Sequence, residues 1–305
     1  MSARAPSAWP LSPNRTTIGA TLGAARRRLR AVSASPQREA ELLLAAVLTC
    51  DRAMLVAHPE RKLAAGDATR FERLVTRRAH GEPVAYLVGE AGFYGRTFAV
   101  TPDVLIPRPE TELVIEAALA DLRSRARAGR VRRSPKRVLR VCDVGTGSGA
   151  IAITLALEVP DAEVWATDLS AAALALARRN AKHLGASVRF RRGDLLAPLR
   201  TRGPFDCIVA NLPYVPSDAI PQKPDPVGFE PVLAVDGGPD GLALYRRLLA
   251  QLPEVAAPGA SGFLEAAPPT LAALAELVAG ALPTAHLEIG EDYAQLERYL
   301  SLALP

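Results

Sequence analysis

The residues best suited to hold and activate a small ligand fall between positions 143 and 214. Asp143-Val144-Gly145-Thr146-Gly147-Ser148-Gly149-Ala150 ends one apolar run and precedes another. Glycines at 145, 147 and 149 let the backbone turn tightly and let a ligand come close, and a following helix offers free N–H groups at its start. With Thr146, Ser148 and the preceding Asp143, they form a candidate cofactor-binding loop. Gly145–Ala150 also fits the dinucleotide pattern GxGxxA, so the loop by itself suits a nicotinamide dinucleotide or S-adenosylmethionine. Asp168 ends the next apolar run, 23 residues after Gly145. A carboxylate there accepts hydrogen bonds from both hydroxyls of a ribose, and it equally suits a plain helix cap. Asp194 and Leu195 follow a third run, at the place of an adenine edge, and Gly193-Asp194 is also an ordinary surface turn.

The discriminating group is Asn211-Leu212-Pro213-Tyr214, after a fourth apolar run. In open α/β sheets a ligand lies outside the carboxyl ends of the strands. An Asn carboxamide oxygen and the next backbone carbonyl together accept both hydrogens of one planar NH2 group, and a Tyr ring stacks on its plane. That clamp fits a planar amide or amino-purine nitrogen held beside a methyl donor. A dehydrogenase has no use for it.

Strands and helices must place these groups. From Val138 onward they alternate: strands at 138–144, 163–167, 188–191, 205–210, 262–266, 286–289 and 297–302, and helices at 148–158, 171–184, 242–252 and 270–281. Ser170 suits an N-cap. Near-continuous apolar strands alternating with helices imply a parallel sheet covered on both faces. Cys142 and Cys207 fall inside two strands and read as buried, inert thiols. Ahead of this lies different material. Residues 1–16 read as a mobile tail and residues 17–80 as a small helical domain. Its periodic runs are Ile18–Leu29, Glu39–Leu48 after Ser35-Pro36, and about 67–78. Residues 81–112 mix Val, Tyr, Phe and Thr with glycines and prolines, which suits a hairpin connector. The catalytic part is read as 113–305, beginning with a helix at 113–122. A basic insert follows at 123–137, with eight basic groups in fifteen residues, and such a run stays solvated.

The 305 residues are 49% hydrophobic and 23% charged, which excludes global disorder. A net charge of +5 hides an asymmetry: residues 1–140 carry 25 basic and 13 acidic side chains, residues 141–305 carry 12 and 19. A basic front half suggests an acidic protein or a nucleic acid as partner. The alternative is a solvated Arg-rich surface. Three scattered cysteines argue against disulfides and structural zinc and fit a reducing, cytoplasmic setting. The N-terminus lacks the apolar core of a signal peptide, and there is no apolar stretch of ~20 residues to span a membrane.

The DxGxGxG loop, the strand-end Asp168 and the Asn-x-Pro-Tyr tetrapeptide resemble class I S-adenosylmethionine-dependent methyltransferases that act on planar nitrogens. Three stretches narrow this: Glu82-Pro83-Val84-Ala85-Tyr86-Leu87 with Phe93-Tyr94-Gly95; Leu105-Ile106-Pro107-Arg108-Pro109-Glu110-Thr111-Glu112; and Phe229-Glu230-Pro231 with Gly237-Gly238-Pro239-Asp240-Gly241-Leu242. These resemble the PrmC/HemK family of peptide chain release factor N5-glutamine methyltransferases, over roughly residues 18–305. The resemblance implies an α/β fold, a Rossmann-like seven-stranded class I methyltransferase domain with a small all-α N-terminal domain. It implies methyl transfer to the glutamine of a Gly-Gly-Gln loop in a release factor, by a monomer without a metal. It also implies roles. Gly145, Gly147 and Gly149 hold the methionine part of the cofactor, Asp168 its ribose, and Asp194 and Leu195 its adenine. Asn211, Leu212, Pro213 and Tyr214 hold the glutamine amide, with Arg108 and Glu110 at the substrate entrance or paired as a salt bridge. Two positions depart from the family pattern: Leu212 replaces a proline, and Leu195 stands where an aromatic is usual. Rival readings are an amino-group methyltransferase on DNA or RNA, a nicotinamide dehydrogenase, and a non-catalytic binding protein.

Overall fold

The computed structural model describes residues 17–131 and 138–305, with backbone alone at 129–131. The expected tail at 1–16 and the part of the basic insert at 132–137 lie outside the described residues. The chain divides into two compact units. One holds the described residues up to Gly89 together with Gln222–Phe229, and the other holds Glu90–Pro221 and Glu230–Pro305.

The first unit is helical: α1 (Ile18–Leu29), α2 (Pro36–Leu48), α3 (Arg52–Ala57), α4 (Ala65–Ala79) and α5 (Val84–Val88). Thr17 caps α1 by accepting from the Ala20 N–H, and Pro36 opens α2 at a position where its missing N–H costs nothing. Ile18, Leu22, Leu29, Leu43, Leu44 and Phe71 form its core. The unit runs to Gly89 and not to His80. Val84–Val88 has the composition of a strand, yet Pro83 starts a turn of helix, Gly89 ends it at φ 83°, and Val84, Leu87 and Val88 pack on the helical core. Tertiary burial overrides intrinsic strand preference here. Gln222–Phe229 also belongs to this unit and not to the catalytic one. Gly81, at φ 96°, lets the Pro224 carbonyl approach so closely that a Cβ would lie 1.8 Å from its oxygen.

The second unit opens with a hairpin, β1 (Glu90–Phe93) and β2 (Arg96–Ala99), turned by Tyr94 and Gly95, both at positive φ. Buried Phe93 and Phe98 meet edge to face. Helix α6 (Thr111–Val131) follows. It was expected to stop at Leu122 before a solvated basic run, but it continues because the arginines find partners. Arg125 pairs with Asp121 at i,i+4 (2.7 Å) and donates to the Gly259 carbonyl (2.7 Å), and Arg123 reaches Glu158 (3.3 Å).

The sheet is built from β3 (Arg140–Val144), β4 (Glu163–Asp168), β5 (Val188–Arg192), β6 (Phe205–Ala210), β7 (Ala256–Glu265), β8 (His286–Glu291) and β9 (Glu297–Ala303). Helices α7 (Ala150–Glu158), α8 (Ala171–Leu184), α9 (Ala243–Gln251) and α10 (Pro268–Ala281) connect them. The order is β5-β4-β3-β6-β7-β9-β8. Strands β3 to β7 pair in parallel, and their faces carry two separate apolar cores. The expected parallel sheet is completed at one end by β9, which runs antiparallel to both β7 and β8. Residues 292–296 between β8 and β9 are too few for a crossover, so the chain turns back as a hairpin. Strand β7 starts at Ala256, before the expected Gly262, because Pro258 and Gly259 fall at an irregularity in its pairing with β6. Cys142 and Cys207 are fully buried, and burial pushes the Cys207 thiol up to about 12, so both are poor nucleophiles. The strand order reverses between β3 and its neighbours β4 and β6, which opens a crevice at their carboxyl ends.

Candidate active site

The glycine loop leaves β3 at that crevice. The N–H groups of Gly145 and Thr146 both donate to the Thr167 carbonyl (2.9 Å each), and Gly147 donates to Asp168 Oδ2 (2.9 Å). Gly145 is at φ 76°, and a Cβ there would lie 2.9 Å from Leu212 Cδ2. Gly147 also has positive φ, but a Cβ on it would meet nothing within 4 Å, so this side of the loop faces open space. Gly149 caps α7 from φ 86°, which starts the helix at Ala150 and not at Ser148.

Asp143 is set beneath the loop, not in the crevice. It is fully buried, and its Oδ2 accepts from Thr146 Oγ1 (2.6 Å) and from the Ala152 N–H (3.1 Å). Its other oxygen has no hydrogen-bond partner, and burial pushes the carboxyl up to about 7 against the pull of those two donors. Asp168 does face the crevice. Its Oδ1 accepts from the Ser170 N–H (2.8 Å), and burial again raises its pKa while backbone N–H groups lower it. Asp194 pairs with Arg247 (2.5 Å). Leu195 next to it is held at φ 48°, and Gln251 fixes the turn by accepting from the Leu196 N–H (2.9 Å).

At the end of β6, Asn211 donates its Nδ2 to Thr111 Oγ1 (3.1 Å), which leaves the carboxamide oxygen as the acceptor for a ligand. The Leu212 side chain is buried against Gly145, and its N–H, which a proline would lack, reaches the Tyr245 hydroxyl (3.4 Å). That hydroxyl in turn donates to the Glu265 carbonyl. The Gly237–Gly241 loop braces the tetrapeptide from behind. A Cβ on Gly237 would lie 2.8 Å from the Pro213 carbonyl oxygen, and one on Gly241 would lie 2.3 Å from that of Tyr214.

A cavity of about 350 Å³ joins these pieces. Its walls include Gly145–Ser148, Asp168, Asp194, Leu195, Asn211–Pro213 and, from the connector, Arg108. Tyr214, Glu110, Asp143 and Gly149 do not line it. Tyr214, expected to stack on a planar ligand, is partly buried against the core, with its phenol in the field of Glu265, Arg108, Glu110 and Arg298. Burial first and then Glu265 push that phenol up to about 12. Arg108 and Glu110 do not pair with each other. Arg108 forms an ion pair with Glu230, which also accepts from the Ile106 N–H (3.1 Å), and Glu110 reaches Arg298 (4.0 Å). Glu112 accepts from the Tyr94 N–H (2.7 Å). The polar side chains of Arg108–Glu112 thus each tie down a different segment, which explains so charged a connector. Sequence reasoning assigned no role to Thr111, Tyr245 or Glu265. A carboxyl at the end of a buried strand, as at Asp168, was the available signal for Glu265, whereas a Tyr on the buried face of a helix gives none.

Comparison with known proteins adds the following. A PrmC N-terminal domain model matches residues 20–89, and a methyltransferase domain model matches 141–223. The release factor glutamine methyltransferase of Moorella thermoacetica is 43% identical over 291 residues, covering 94% of this chain and 90% of that one. The release factor glutamine methyltransferase of Koribacter versatilis is 46% identical and covers 74% and 77%. That of Bacillus subtilis is 40% identical and covers 84% and 87%. Among solved structures, the hMettl16 catalytic domain in complex with MAT2A 3'UTR hairpin 1 aligns with a TM-score of 0.50 at 14% identity, over 78% of this chain and 83% of that one. That likeness speaks for the fold alone.

Proposed function

The chain belongs to the release factor glutamine methyltransferase family, and on that premise we propose how its site performs the reaction. The enzyme transfers a methyl group from S-adenosylmethionine to the side-chain N5 of the glutamine in the Gly-Gly-Gln loop of a peptide chain release factor. The crevice suits the donor: it opens on Gly147 where a Cβ would meet nothing, and Asp168 keeps acceptor capacity beyond the N–H groups of Gly147 and Ser170. Gly145, Thr146, Gly147 and Ser148 would hold its amino-acid end and Asp168 its ribose. Leu195 would pack on its adenine, because the Asp194 carboxylate is occupied by Arg247. When bound, the sulfonium supplies an already activated methyl group.

The protein's task is then position and desolvation. An amide nitrogen is a poor nucleophile because its lone pair is delocalised. Asn211 Oδ1 and the Leu212 carbonyl accept its two N–H bonds, aim the nitrogen, and offset the positive charge that develops on it. Pro213 shapes the wall beside them. Tyr214 supports the clamp from beside it, and Arg108 contributes from the cavity rim. Asp143 and Gly149 act through the loop, and Glu110 acts through Arg298. The helical unit recognises the release factor, in keeping with its basic composition, and the chain works as a monomer on a protein rather than a nucleic-acid partner. Among the described residues no helix is long and apolar enough to cross a membrane.

The observation that carries this reading is the Asn211 side chain, whose nitrogen is committed to Thr111 so that its oxygen is the group on offer. The test incubates the protein with methyl-labelled S-adenosylmethionine and a release factor, beside a version with the Gly-Gly-Gln glutamine changed to alanine and beside RNA. Label on the first alone is the expected result. Label on RNA, or on the alanine version, overturns it.

A further inference from the structure

Two arginines line the cavity, and they are held in different ways. Arg247 pairs with Asp194 where the two side chains are 53% and 37% exposed, so that pair is screened and weakly held. Arg108 pairs with Glu230, whose side chain is only 1% exposed. Arg108 is also fixed from its own backbone. Pro107 before it has a locked φ, and Pro109 after it disfavours a helical backbone at Arg108. The Arg108 carbonyl accepts from the Thr111 N–H (3.1 Å), and Thr111 in turn holds Asn211 (3.1 Å). Arg108 therefore stands at the clamp end of the cavity. Glu230 takes up its Nη2, and a guanidinium has further N–H groups to give.

Glu230 bridges two segments of the same cavity wall. One of its oxygens accepts from the Ile106 N–H (3.1 Å) and the other from Arg108. Pro107 and Arg108 line the cavity on one side of this bridge, and Pro231 and Leu233 on the other. A buried ion pair adds little net stability, because desolvation offsets the attraction, and apolar side chains of similar volume would serve as well. What the pair supplies is direction. A carboxylate at one edge of a planar guanidinium fixes where its other edge points.

We propose that Glu230 is a positioning residue for substrate binding: it holds Arg108 so that the remaining N–H groups of the guanidinium meet the backbone carbonyls of the substrate's glycine loop. The inference rests on the reading of the substrate as a Gly-Gly-Gln loop. Two glycines present no side chains, so what they offer for recognition is their peptide groups, and a peptide carbonyl accepts from a guanidinium. An arginine fixed before the loop arrives loses less freedom on binding than one that must be ordered at that moment. The contact serves binding alone, and the Asn211-Leu212 clamp still aims the amide.

The test measures kcat and KM for release-factor methylation by the full chain at saturating S-adenosylmethionine, with cofactor affinity read separately by calorimetry. Arg108→Met raises KM roughly tenfold, as loss of a hydrogen bond from a charged group does, and lowers kcat by about threefold at most. Glu230→Gln keeps an acceptor for the Ile106 N–H but loses the charge opposite Arg108, and it raises KM by about three- to tenfold with kcat similarly spared. The double variant has the KM of Arg108→Met alone, because Glu230 acts through Arg108. Cofactor affinity in all three stays within about threefold of the parent, which certifies folding. A carbonyl carries no net charge, so the KM ratio of Arg108→Met to the parent holds within about twofold between roughly 0.05 and 0.3 M salt. A ratio that collapses toward one at the higher salt makes an acidic side chain the target and overturns the proposal. A Glu230→Gln enzyme with the parent KM, penalties that multiply in the double variant, or a loss confined to kcat also overturns it. So does a cofactor affinity that falls along with the rise in KM, which marks Glu230 as merely structural. A parent enzyme that leaves the release factor unlabelled overturns the substrate reading and the proposal with it. A parent that labels the release factor, beside a Glu230→Gln enzyme with the same KM, overturns the proposal alone.

Discussion

Asp143 and Glu265 make an instructive pair. Each is a buried carboxyl at the carboxyl end of a central strand, each has one oxygen without a hydrogen-bond partner, and each is raised to about 7 chiefly by burial. Asp143 accepts from the hydroxyl of Thr146, three residues on, whereas Glu265 is tied in through its backbone carbonyl, which accepts from the Tyr245 hydroxyl on another segment of the chain. The first pair shapes the glycine loop and α7 by local contacts. The second supports the substrate clamp through a connection that exists only after the sheet has formed. The donor half of the site is thus a local structure, and the acceptor half is a tertiary one.

The largest expected effect separates the halves outright. Asn211→Ala should lower methyl transfer by ~10²–10³, the range for deleting one charge-stabilising hydrogen-bond partner. Cofactor affinity, read by calorimetric titration, should stay nearly unchanged. An equal loss in both would dissolve the distinction. Next comes Gly145→Ala, the mirror experiment. A left-handed φ of 76° costs an L-residue ~1–2 kcal/mol, and the new methyl meets Leu212. Cofactor binding should weaken at least tenfold, as each 1.4 kcal/mol is a factor of ten. Gly147→Ala, strained but open, should weaken it less.

A third measurement compares the two carboxyls in stability. Both folded pKa values lie above the unfolded ones, near 4, so between about pH 4 and 7 the native state keeps protons that the unfolded chain has released. Their contribution to stability therefore falls as pH rises through that window and is fully lost above it. The melting temperature of Asp143→Asn, relative to the parent, should climb between about pH 5 and 8. A constant difference would show that Asp143 stays ionised throughout. The smallest effect is Leu212→Pro, which restores the family residue. It removes a long hydrogen bond to Tyr245, worth ~1 kcal/mol at most, and the locked φ of proline offsets this. Activity should hold or rise, and a large loss would mean that the Tyr245 contact and the Leu212 cover over Gly145 set a geometry of their own.

The same division governs what could be read beforehand. Helix α8 ends at its expected bounds because Ser170 caps it and Gly185 stops it within a few residues. The glycine loop was legible because its φ angles and its Asp143 partner are consequences of neighbouring residues. Helix α5 was misread because its residues favour a strand until a core exists to bury them. The place of β9 between β7 and β8 was left open, because a short connection looks the same in sequence whether or not a strand inserts between two others. The packing of Tyr214 was not legible for a similar reason, since an aromatic beside a pocket motif does not declare which side it packs on.

The sequence by itself determined the alternating architecture and the glycine loop, and it placed Asp168 and Asn211 at strand ends. It could do so because backbone turns, caps and strand-end positions depend on residues within a few places of each other. Only the tertiary structure decided which way the Asn211 carboxamide points. The hydrogen bonds from Asn211 to Thr111, from Leu212 to Tyr245 and from Tyr245 to the Glu265 carbonyl join segments far apart in the chain. They gain their strength and direction from burial, which removes the water that would otherwise satisfy every one of those groups.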